Sequence, residues 1–342
     1  MPYFIAVIFF LLSSSAFAHE VLIQSPQSEE STLSPSFSSS SSFSSWLEQF
    51  KQDAEAKGIS RATLDAAFAG SEAPLDRVIE LDQKQPELKL TLDQYLARIV
   101  SDTRIKDGRK QFAANRTLLT KIGKKYGVQP RFIVALWGIE TNYGTRTGGF
   151  NVIDALATLA YDGRRAGFFR GELIDALRII EQEHMSADDL KGSWAGALGQ
   201  CQFMPDSYLK FAVDYNGDGK RDIWNTKSDV FASIANYLKS SGWDDKVGWG
   251  RPVKLPDNFD RSLADNSSEK SLAEWNKLGV RTASGGKLPA QKMKASLVFV
   301  GEGDDAVPYI IYSNFKVIMK WNRSRFFATS VGMLADRVES HR

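Results

Sequence analysis

The chain has 342 residues, 43% of them hydrophobic, so it can bury a large core and form more than one subdomain. Its 43 Lys and Arg residues nearly balance 41 Asp and Glu residues, and the formal charge of +2 does not favour nucleic acid or an anionic surface as a partner. The single cysteine, Cys201, excludes an intrachain disulfide. Three histidines far apart in sequence do not favour a histidine-based metal site, namely His19, His184 and His341.

The first 45 residues are typical of a targeting segment followed by a linker. Residues 3–12 are almost wholly apolar but too few to span a bilayer, and Ala16-Phe17-Ala18 is a small-x-small cleavage pattern. The sequence therefore predicts a cleaved signal peptide over residues 1–18 and a serine-rich, disordered linker over residues 19–45. No cysteine follows the cleavage pattern, so we expect a periplasmic protein without a lipid or transmembrane anchor.

Helical spacing of apolar residues dominates the rest of the chain. It predicts helices over residues 46–69 (interrupted at Gly58), 92–99, 105–126, 132–144, 152–160, 168–184, 207–213, 230–241 and 314–338. Residues 74–90 contain two prolines and are predicted to be irregular, whereas residues 296–300 and 309–312 are strand-like. We expect a mainly α (α+β) fold over residues 46–342. Its predicted parts are a helical part (46–126), a core (127–243), and a tail with a small β element and a closing helix (244–342).

One helix carries a carboxylate in unusually apolar surroundings. Residues 132–140 read FIVALWGIE, and Glu140 is the only charged residue among them. A helix that is apolar on nearly every face lies inside a protein, where desolvation raises the pKa of a carboxylic acid toward a useful range for proton donation. Glu140 is therefore the leading catalytic candidate, although the spacing alone equally allows a buried structural glutamate.

No second catalytic acid stands out, although glycoside cleavage usually uses two carboxylates. Asp154, Glu172 and Asp175 lie on predicted helices, where salt-bridged or solvated roles are favoured. A mechanism with one acid requires the substrate to supply the second reacting group. Cys201 has no histidine in the motif-rich region beside it and is better explained as a small buried thiol than as a nucleophile.

The segment DYNGDGKRD, residues 214–222, is similar to the first nine positions of an EF-hand calcium loop. Oxygen ligands occupy positions one, three, five and nine, and Gly219 is at the sixth position, where the loop turns sharply. Position twelve is Asn225 instead of the bidentate glutamate, and Asp229 is a candidate substitute. The alternative is a metal-free loop held by its own side-chain hydrogen bonds.

Taken together, several motifs resemble the membrane-bound lytic murein transglycosylase B family, glycoside hydrolase family 103. They are ALWGIETNYG (135–144), YDGRRAGFF (161–169), GSWAGALGQCQFMPDSY (192–208), DYNGDGKRDIW (214–224), ANYLKSSGW (235–243) and WNRS (321–324). The resemblance implies a goose-lysozyme-like fold and non-hydrolytic cleavage of the β-1,4 bond between N-acetylmuramic acid and N-acetylglucosamine. It also implies that one glutamate acts first as acid and then as base, while the muramic acid 6-hydroxyl closes on C1 to give a 1,6-anhydro end.

The resemblance also implies roles for individual residues. Glu140 matches the acid/base. Glycan-contacting positions are matched by Ser193, Gln202, Phe203, Met204, Tyr237 and Asn322. Arg164 and Arg165 match a pair suggested to meet the peptide stem. A structural, weakly bound calcium ion is implied at Asp214, Asn216, Asp218, Lys220 (through its carbonyl oxygen) and Asp229; no other cofactor is expected.

This sequence departs from the family pattern at several positions. Phe168, Trp321 and Phe327 stand where tyrosines are expected, so hydroxyl contacts are lost while stacking can remain. Cys201 replaces a smaller residue and narrows the expected groove. One extra residue between Trp224 and Asp229 weakens the calcium prediction, but not the catalytic one.

Three functions are compatible with these features. The favoured one is a monomeric periplasmic lytic transglycosylase whose partners are peptidoglycan glycan strands, with other cell-wall enzymes as candidate partners. The alternatives are a goose-type lysozyme-like hydrolase and a non-catalytic peptidoglycan-binding protein on the same fold.

Overall fold

The computed structural model describes residues 42–84, 90–162, 165–183, 185–265 and 268–339. The predicted signal peptide, most of the predicted linker, Arg164 and the three histidines lie outside these residues. The helices are α1 (Phe43–Ala56), α2 (Arg61–Ala67), α3 (Asp76–Gln83), α4 (Leu92–Ile99), α5 (Asp102–Ala114), α6 (Arg116–Tyr126), α7 (Pro130–Thr141), α8 (Val152–Tyr161), α9 (Ala166–Glu183), α10 (Pro205–Phe211), α11 (Lys227–Ser240), α12 (Leu272–Lys277), α13 (Ser313–Trp321) and α14 (Arg325–Glu339). The strands are β1 (Phe150–Asn151), β2 (Lys191–Gly192), β3 (Gly250–Lys254), β4 (Lys270–Ser271), β5 (Arg281–Thr282), β6 (Lys294–Val300) and β7 (Val307–Ile311).

The predicted mainly α fold with a small β element is confirmed, but two predicted helices are divided. Residues 105–126 form α5 and α6 because Asn115, whose side chain donates to the Gln111 carbonyl at 2.8 Å, interrupts the helix. Residues 314–338 form α13 and α14 because the chain is extended at Asn322 (ψ 122°). In addition, residues 76–83 of the segment predicted to be irregular form α3.

Strands β3 to β7 form one antiparallel sheet in the order β4-β6-β7-β3-β5. Side chains of β6 and β7 alternate between two cores, as the two-residue period of a strand requires. Val298, Val300 and Ile311 belong to the main helical core. Leu297 and Ile310 face a smaller cluster that also includes Trp275. The sheet therefore separates the helical core from a small outer cluster.

Helix α7 lies inside the main core, as its apolar sequence predicts. Its residues from Phe132 to Gly138 are all buried, and it packs against α14, α5, α11 and α6. Pro130 occupies the first turn, where its missing N–H costs nothing. The helix ends at Thr141 because Asn142 takes the left-handed conformation (φ 50°), so the stop lies two residues before the predicted one at Gly144.

No helix among the described residues has both the length and the apolar character needed to cross a membrane.

Candidate active site

Glu140 lies in the last turn of α7, where the helix leaves the core. Trp321, at the end of α13, donates its indole N–H to Glu140 Oε1 at 2.7 Å. Burial raises the pKa of Glu140 from 4.5 to about 8, and the indole hydrogen bond opposes that rise because it favours the charged form. The carboxyl group is therefore protonated at neutral pH and can donate a proton.

An aromatic cluster holds Trp321 in place. Its ring centroid lies 4.6 Å from that of Tyr237 on α11 and 5.2 Å from that of Phe203. Tyr237 also contacts Phe211 on α10 at 4.7 Å between ring centroids, so α10 supports one of the two rings that pack against the indole. The structure thus brings together Glu140 with two aromatic residues predicted from the sequence to contact glycan.

The glycine-rich segment 192–205 folds into a tight loop in which Ser193 and Gln202 occupy fixed positions. Ser193 Oγ accepts the backbone N–H groups of Ala195 at 3.3 Å and Ala197 at 3.0 Å. Gln202, at φ 50°, donates its side-chain amide to the carbonyl oxygens of Thr147 and Gly199 at 3.1 and 2.9 Å. These bonds occupy the N–H groups and leave Gln202 Oε1 as an acceptor that bonds no described residue.

Met204 and Asn322, the two remaining residues predicted to contact glycan, lie at helix ends. Met204 is half-buried as the N-cap residue of α10, and Asn322 Oδ1 accepts the Ser324 N–H at 3.0 Å, which shapes the bend between α13 and α14. Of the two phenylalanines found in place of tyrosines, Phe168 is 44% exposed, whereas Phe327 is buried within α14.

Gln200 joins the catalytic helix to the glycine-rich loop, and sequence reasoning missed it. Its Oε1 accepts the indole N–H of Trp137 at 2.8 Å, while its Nε2 donates to the Trp224 carbonyl at 2.6 Å. Its own carbonyl accepts the Thr141 hydroxyl at 3.1 Å. Trp137 and Thr141 flank Glu140 on α7. Gln200 therefore fixes the last turn of α7 against the glycine-rich segment. Gln200 could not be singled out from the sequence, because the residues it bonds are distant from it along the chain.

Tyr95 on α4 is a second residue that the sequence did not single out. Burial raises the pKa of Tyr95 to about 12, and the nearby charge of Glu140 adds to the rise. Glu140 has the same effect on Cys201, whose pKa is raised well above its usual value, chiefly by complete burial. Cys201 is thus a neutral, buried thiol, as predicted, and it lies on the loop that faces Glu140.

The three other acids considered from the sequence have structural partners. Asp154 accepts the Ser71 hydroxyl at 2.5 Å, and Asp175 pairs with Arg178 at 2.7 Å. Glu172 accepts the backbone N–H of Asp206 at 3.1 Å, and its burial raises its pKa to about 7. Among the described residues, no carboxylate contributes to the raised pKa of Glu140.

Arg165, the described member of the predicted peptide-binding pair, has a partner within the protein. Its guanidinium contacts Asp82 on α3 at 3.2 Å and lies 5.1 Å from the centre of the Phe169 ring. Because Asp82 is only 1% exposed, this ion pair stabilises the junction of α3 and α9 and occupies part of the guanidinium.

The EF-hand-like loop binds its own backbone. Asp214 accepts the N–H groups of Gly217 at 2.7 Å and Gly219 at 2.9 Å, and Asp218 accepts that of Lys220 at 2.9 Å. The fully buried Asp229 accepts the N–H groups of Tyr215 and Asp222, each at 3.1 Å, so it contacts the loop through the backbone. Across the described part of the chain, however, no three His, Cys, Asp or Glu side chains are close enough together to hold a metal ion.

Fold and site together define a mainly helical protein in which a desolvated glutamic acid, Glu140, is able to transfer protons. The transglycosylase SLT domain family matches residues 42–336, and the chain belongs to this family.

Individual relatives agree with this assignment. The membrane-bound lytic murein transglycosylase B of Escherichia coli K12 is 32% identical over 255 residues, which are 72% of this chain and 66% of that protein, just under two thirds of its length. Among solved structures, SltB3 of Pseudomonas aeruginosa in complex with NAG-anhNAM-pentapeptide superposes with a TM-score of 0.83 at 41% identity, covering 88% of this chain and 80% of that one. The Escherichia coli lytic transglycosylase Slt35 in complex with calcium gives a TM-score of 0.71 at 28% identity, covering 85% of this chain and 92% of that one. The fold is therefore that of the lysozyme-like SLT transglycosylases.

Proposed function

We propose that this protein is a lytic transglycosylase that cleaves the β-1,4 bond between N-acetylmuramic acid and N-acetylglucosamine in peptidoglycan without water. The observation that carries the proposal is the desolvated acid Glu140, whose pKa no other carboxylate among the described residues raises. The relative SltB3 was solved with a muropeptide that contains an anhydro sugar, which supports the same product class here.

Glu140 supplies both proton transfers in this reaction. As the bond between C1 of muramic acid and O4 of N-acetylglucosamine breaks, the carboxylic acid gives its proton to O4. The muramic acid 6-hydroxyl then forms the new C1–O6 bond and gives its proton to the Glu140 carboxylate, which restores the acid. An intramolecular nucleophile has a high effective molarity, so the reaction needs no second carboxylate and consumes no water.

The walls around Glu140 supply the proposed glycan contacts. Gln202 Oε1 is free to accept a sugar hydroxyl, and Ser193 accepts two backbone bonds that leave its hydroxyl hydrogen to donate. Met204, which is half-buried, offers apolar surface to a sugar ring, and Asn322 offers a further polar contact. Phe203 and Tyr237 are only 3% and 9% exposed, so they support this surface mainly by packing against Trp321. Arg165, already paired with Asp82, contributes to a peptide subsite only through the part of its guanidinium that this ion pair leaves open.

Mass spectrometry of sacculi digested with the protein tests the proposal. We expect muropeptides that are lighter by one water than hydrolysed products. Only hydrated muropeptides would instead establish a goose-type lysozyme. Binding to sacculi without any digestion, unchanged by Glu140→Gln, would establish a non-catalytic binding protein.

We also propose a periplasmic location, which depends on the predicted signal peptide. Expression of the full chain in a Gram-negative host, followed by fractionation and N-terminal sequencing, tests it. We expect a periplasmic product that begins at His19. A product that keeps Met1 and stays in the cytoplasm would overturn the prediction.

We further propose that the loop of residues 214–229 binds calcium weakly, as a structural ion. The proposed ligands are Asp214, Asn216, Asp218, the Lys220 carbonyl and Asp229. Carboxylate, amide and carbonyl oxygens suit calcium, but these carboxylates are not gathered into a preformed site and lack the bidentate glutamate. We therefore expect a Kd of about 10⁻⁴ to 10⁻³ M, as in weak extracellular sites.

Thermal unfolding with and without calcium tests this site. Millimolar calcium should raise the Tm of the wild type more than magnesium does. Asp218→Asn should lose the difference, whereas Asp257→Asn, an exposed carboxylate elsewhere, should keep it. A Tm that is insensitive to calcium would leave the loop as a metal-free turn.

A further inference from the structure

A polar cavity of about 260 Å³ lies at the end of α7 opposite to Glu140. Arg131, in the first turn of α7, is nine residues before Glu140, which is about 14 Å along the helix axis. The cavity is lined by Arg131, Lys246, Gly248, Trp249, Gly250, Arg251, Gln291, Met293, Tyr312 and Asp336. Its lining includes neither Glu140 nor any of the proposed glycan contacts, so it has no part in the mechanism above.

Three hydrogen-bond donors of this cavity are buried without a partner. They are the Tyr312 hydroxyl, Arg131 Nε and Arg251 Nε, half of all such side-chain atoms in the described part of the chain. Tyr312 is only 3% exposed, so water does not satisfy its hydroxyl from the open surface. A buried donor without an acceptor costs free energy, and three of them around one cavity indicate that an acceptor belongs there.

The charges around the cavity also favour an acceptor that carries negative charge. Three of its lining residues are cationic, and Asp336 is the one acid among them. Asp336 already accepts the Trp249 indole N–H at 2.9 Å and pairs with Arg131 at 3.3 Å, and Arg131 also pairs with Glu339 at 2.9 Å. The Arg251 guanidinium and the Lys246 ammonium have no ion pair with any described residue. The cavity therefore has excess positive charge together with unused donors.

We propose that this cavity binds a small oxyanion, a carboxylate or a phosphate group, through Arg251, Arg131, Lys246 and the Tyr312 hydroxyl. The forked donors of a guanidinium match two oxygens of such a group, and a phenol hydroxyl donates to a third acceptor position. The cavity, at about 260 Å³, has room for such a group. One source of such a group is the carboxylate of a peptide stem, which rests on the proposed function. The other source is free phosphate. The existence of the site does not depend on which of the two binds.

Isothermal titration calorimetry on the whole protein tests the site directly. The probes are inorganic phosphate, acetate and a stem pentapeptide without sugar, each against sodium chloride of equal ionic strength. We expect saturable binding of at least one probe with one site per chain. Arg251→Gln should weaken it by at least about tenfold, because a charged hydrogen bond is lost. The matched control is Lys254→Gln, an exposed cation on the same strand, which should leave the affinity unchanged.

Tyr312→Phe guards against a loss of binding caused by misfolding. Since the hydroxyl has no partner, its removal should leave the Tm in chloride unchanged or higher, yet weaken oxyanion binding. Phosphate binding without peptide binding would support the site and assign it to phosphate. The proposal is overturned if no probe saturates, or if Arg251→Gln and Lys254→Gln bind equally well. Peptidoglycan cleavage is not part of the readout, so failure here leaves the proposed reaction standing.

Discussion

At position 140, replacing one carboxyl oxygen by an amide nitrogen removes the proton on which both steps of the proposed reaction depend. Glu140→Gln should lower turnover of sacculi by about 10²- to 10⁴-fold, the usual contribution of general acid–base catalysis. The glutamine still accepts the Trp321 indole, so the fold should persist. Release of anhydro-muropeptides per unit time is the measurement.

The matched control is Glu172→Gln. Glu172 is also a buried glutamate with a raised pKa, but its partner is the Asp206 amide at the start of α10. Its replacement should leave most of the activity. General acid–base catalysis alone contributes about 10²-fold or more. If folded Glu140→Gln kept more than about a tenth of the wild-type rate, Glu140 would therefore not be the acid.

Trp321 adjusts the acidity of Glu140 through a single hydrogen bond. The proposed acid must be protonated, so activity should fall as the pH rises through about 8. Trp321→Phe removes a donor that favours the carboxylate, which should raise the pKa of Glu140 and move this alkaline limb to higher pH. The pH profile of kcat/KM is the measurement. Trp275→Phe, whose indole bonds the distant Ala295 carbonyl at 2.9 Å, should leave the limb in place. An unchanged limb in Trp321→Phe would show that the indole does not set this pKa.

At the scale of elements, two glutamines secure the two ends of α7. Gln200 links Trp137 to the Trp224 carbonyl near Glu140. Gln129, before the first turn, links the Trp243 indole to the Asp245 and Val247 carbonyls. Both amides bridge a buried tryptophan and a backbone segment, so loss of either should destabilise the protein by roughly 1–3 kcal/mol, because the indole N–H is left without its acceptor.

Only the link at Gln200 should affect catalysis. Gln200→Met should lower kcat by about tenfold, because a small displacement of the last turn of α7 moves the acid relative to the sugar. Gln129→Met should lower the Tm by a similar amount while leaving kcat close to the wild-type value. Steady-state kinetics and thermal unfolding of both variants are the measurements. Equal kinetic effects would mean that Gln200 acts through overall stability alone.

Sequence periodicity predicted most helices because each has one apolar side that faces the core. It predicted one helix in place of α5 and α6, because Asn115 interrupts the helical backbone without changing the apolar pattern. The short strands β1, β2, β4 and β5 were missed, because two residues cannot show a period of two. Local pattern is informative only where an element is long enough to repeat it.

The site shows the same limit at the scale of the whole molecule. The desolvation of Glu140 could be predicted, because a lone acid in an apolar helix is visible within ten residues; its catalytic role stays a prediction. Its partner Trp321 is 181 positions away, and the oxyanion cavity joins α7 to β3 and the end of β7, so only the folded chain brings these groups together. The proposed parts 46–126, 127–243 and 244–342 stay a prediction, and α7 packs against helices from all three.

The buried acid should also affect the stability of the whole molecule. Its pKa is about 8 in the folded protein and near the ordinary 4.5 in the unfolded chain, so the folded state holds a proton that the unfolded state releases above pH 4.5. The contribution of Glu140 to stability is therefore fully present below about pH 4.5 and is lost as the pH rises toward 8. The loss is at most about 1.4 kcal/mol for each pH unit within this window.

Glu140→Gln has no proton to lose, so it should become progressively more stable than the wild type between pH 5 and pH 8. Denaturant unfolding of both proteins at several pH values measures the difference, in which the titration of Glu172 and other shared groups cancels. A difference independent of pH would show that Glu140 is ionised and solvated in the folded protein. The proton that makes Glu140 a useful acid is thus expected to make the folded protein less stable at alkaline pH, and the two properties should disappear together in one variant.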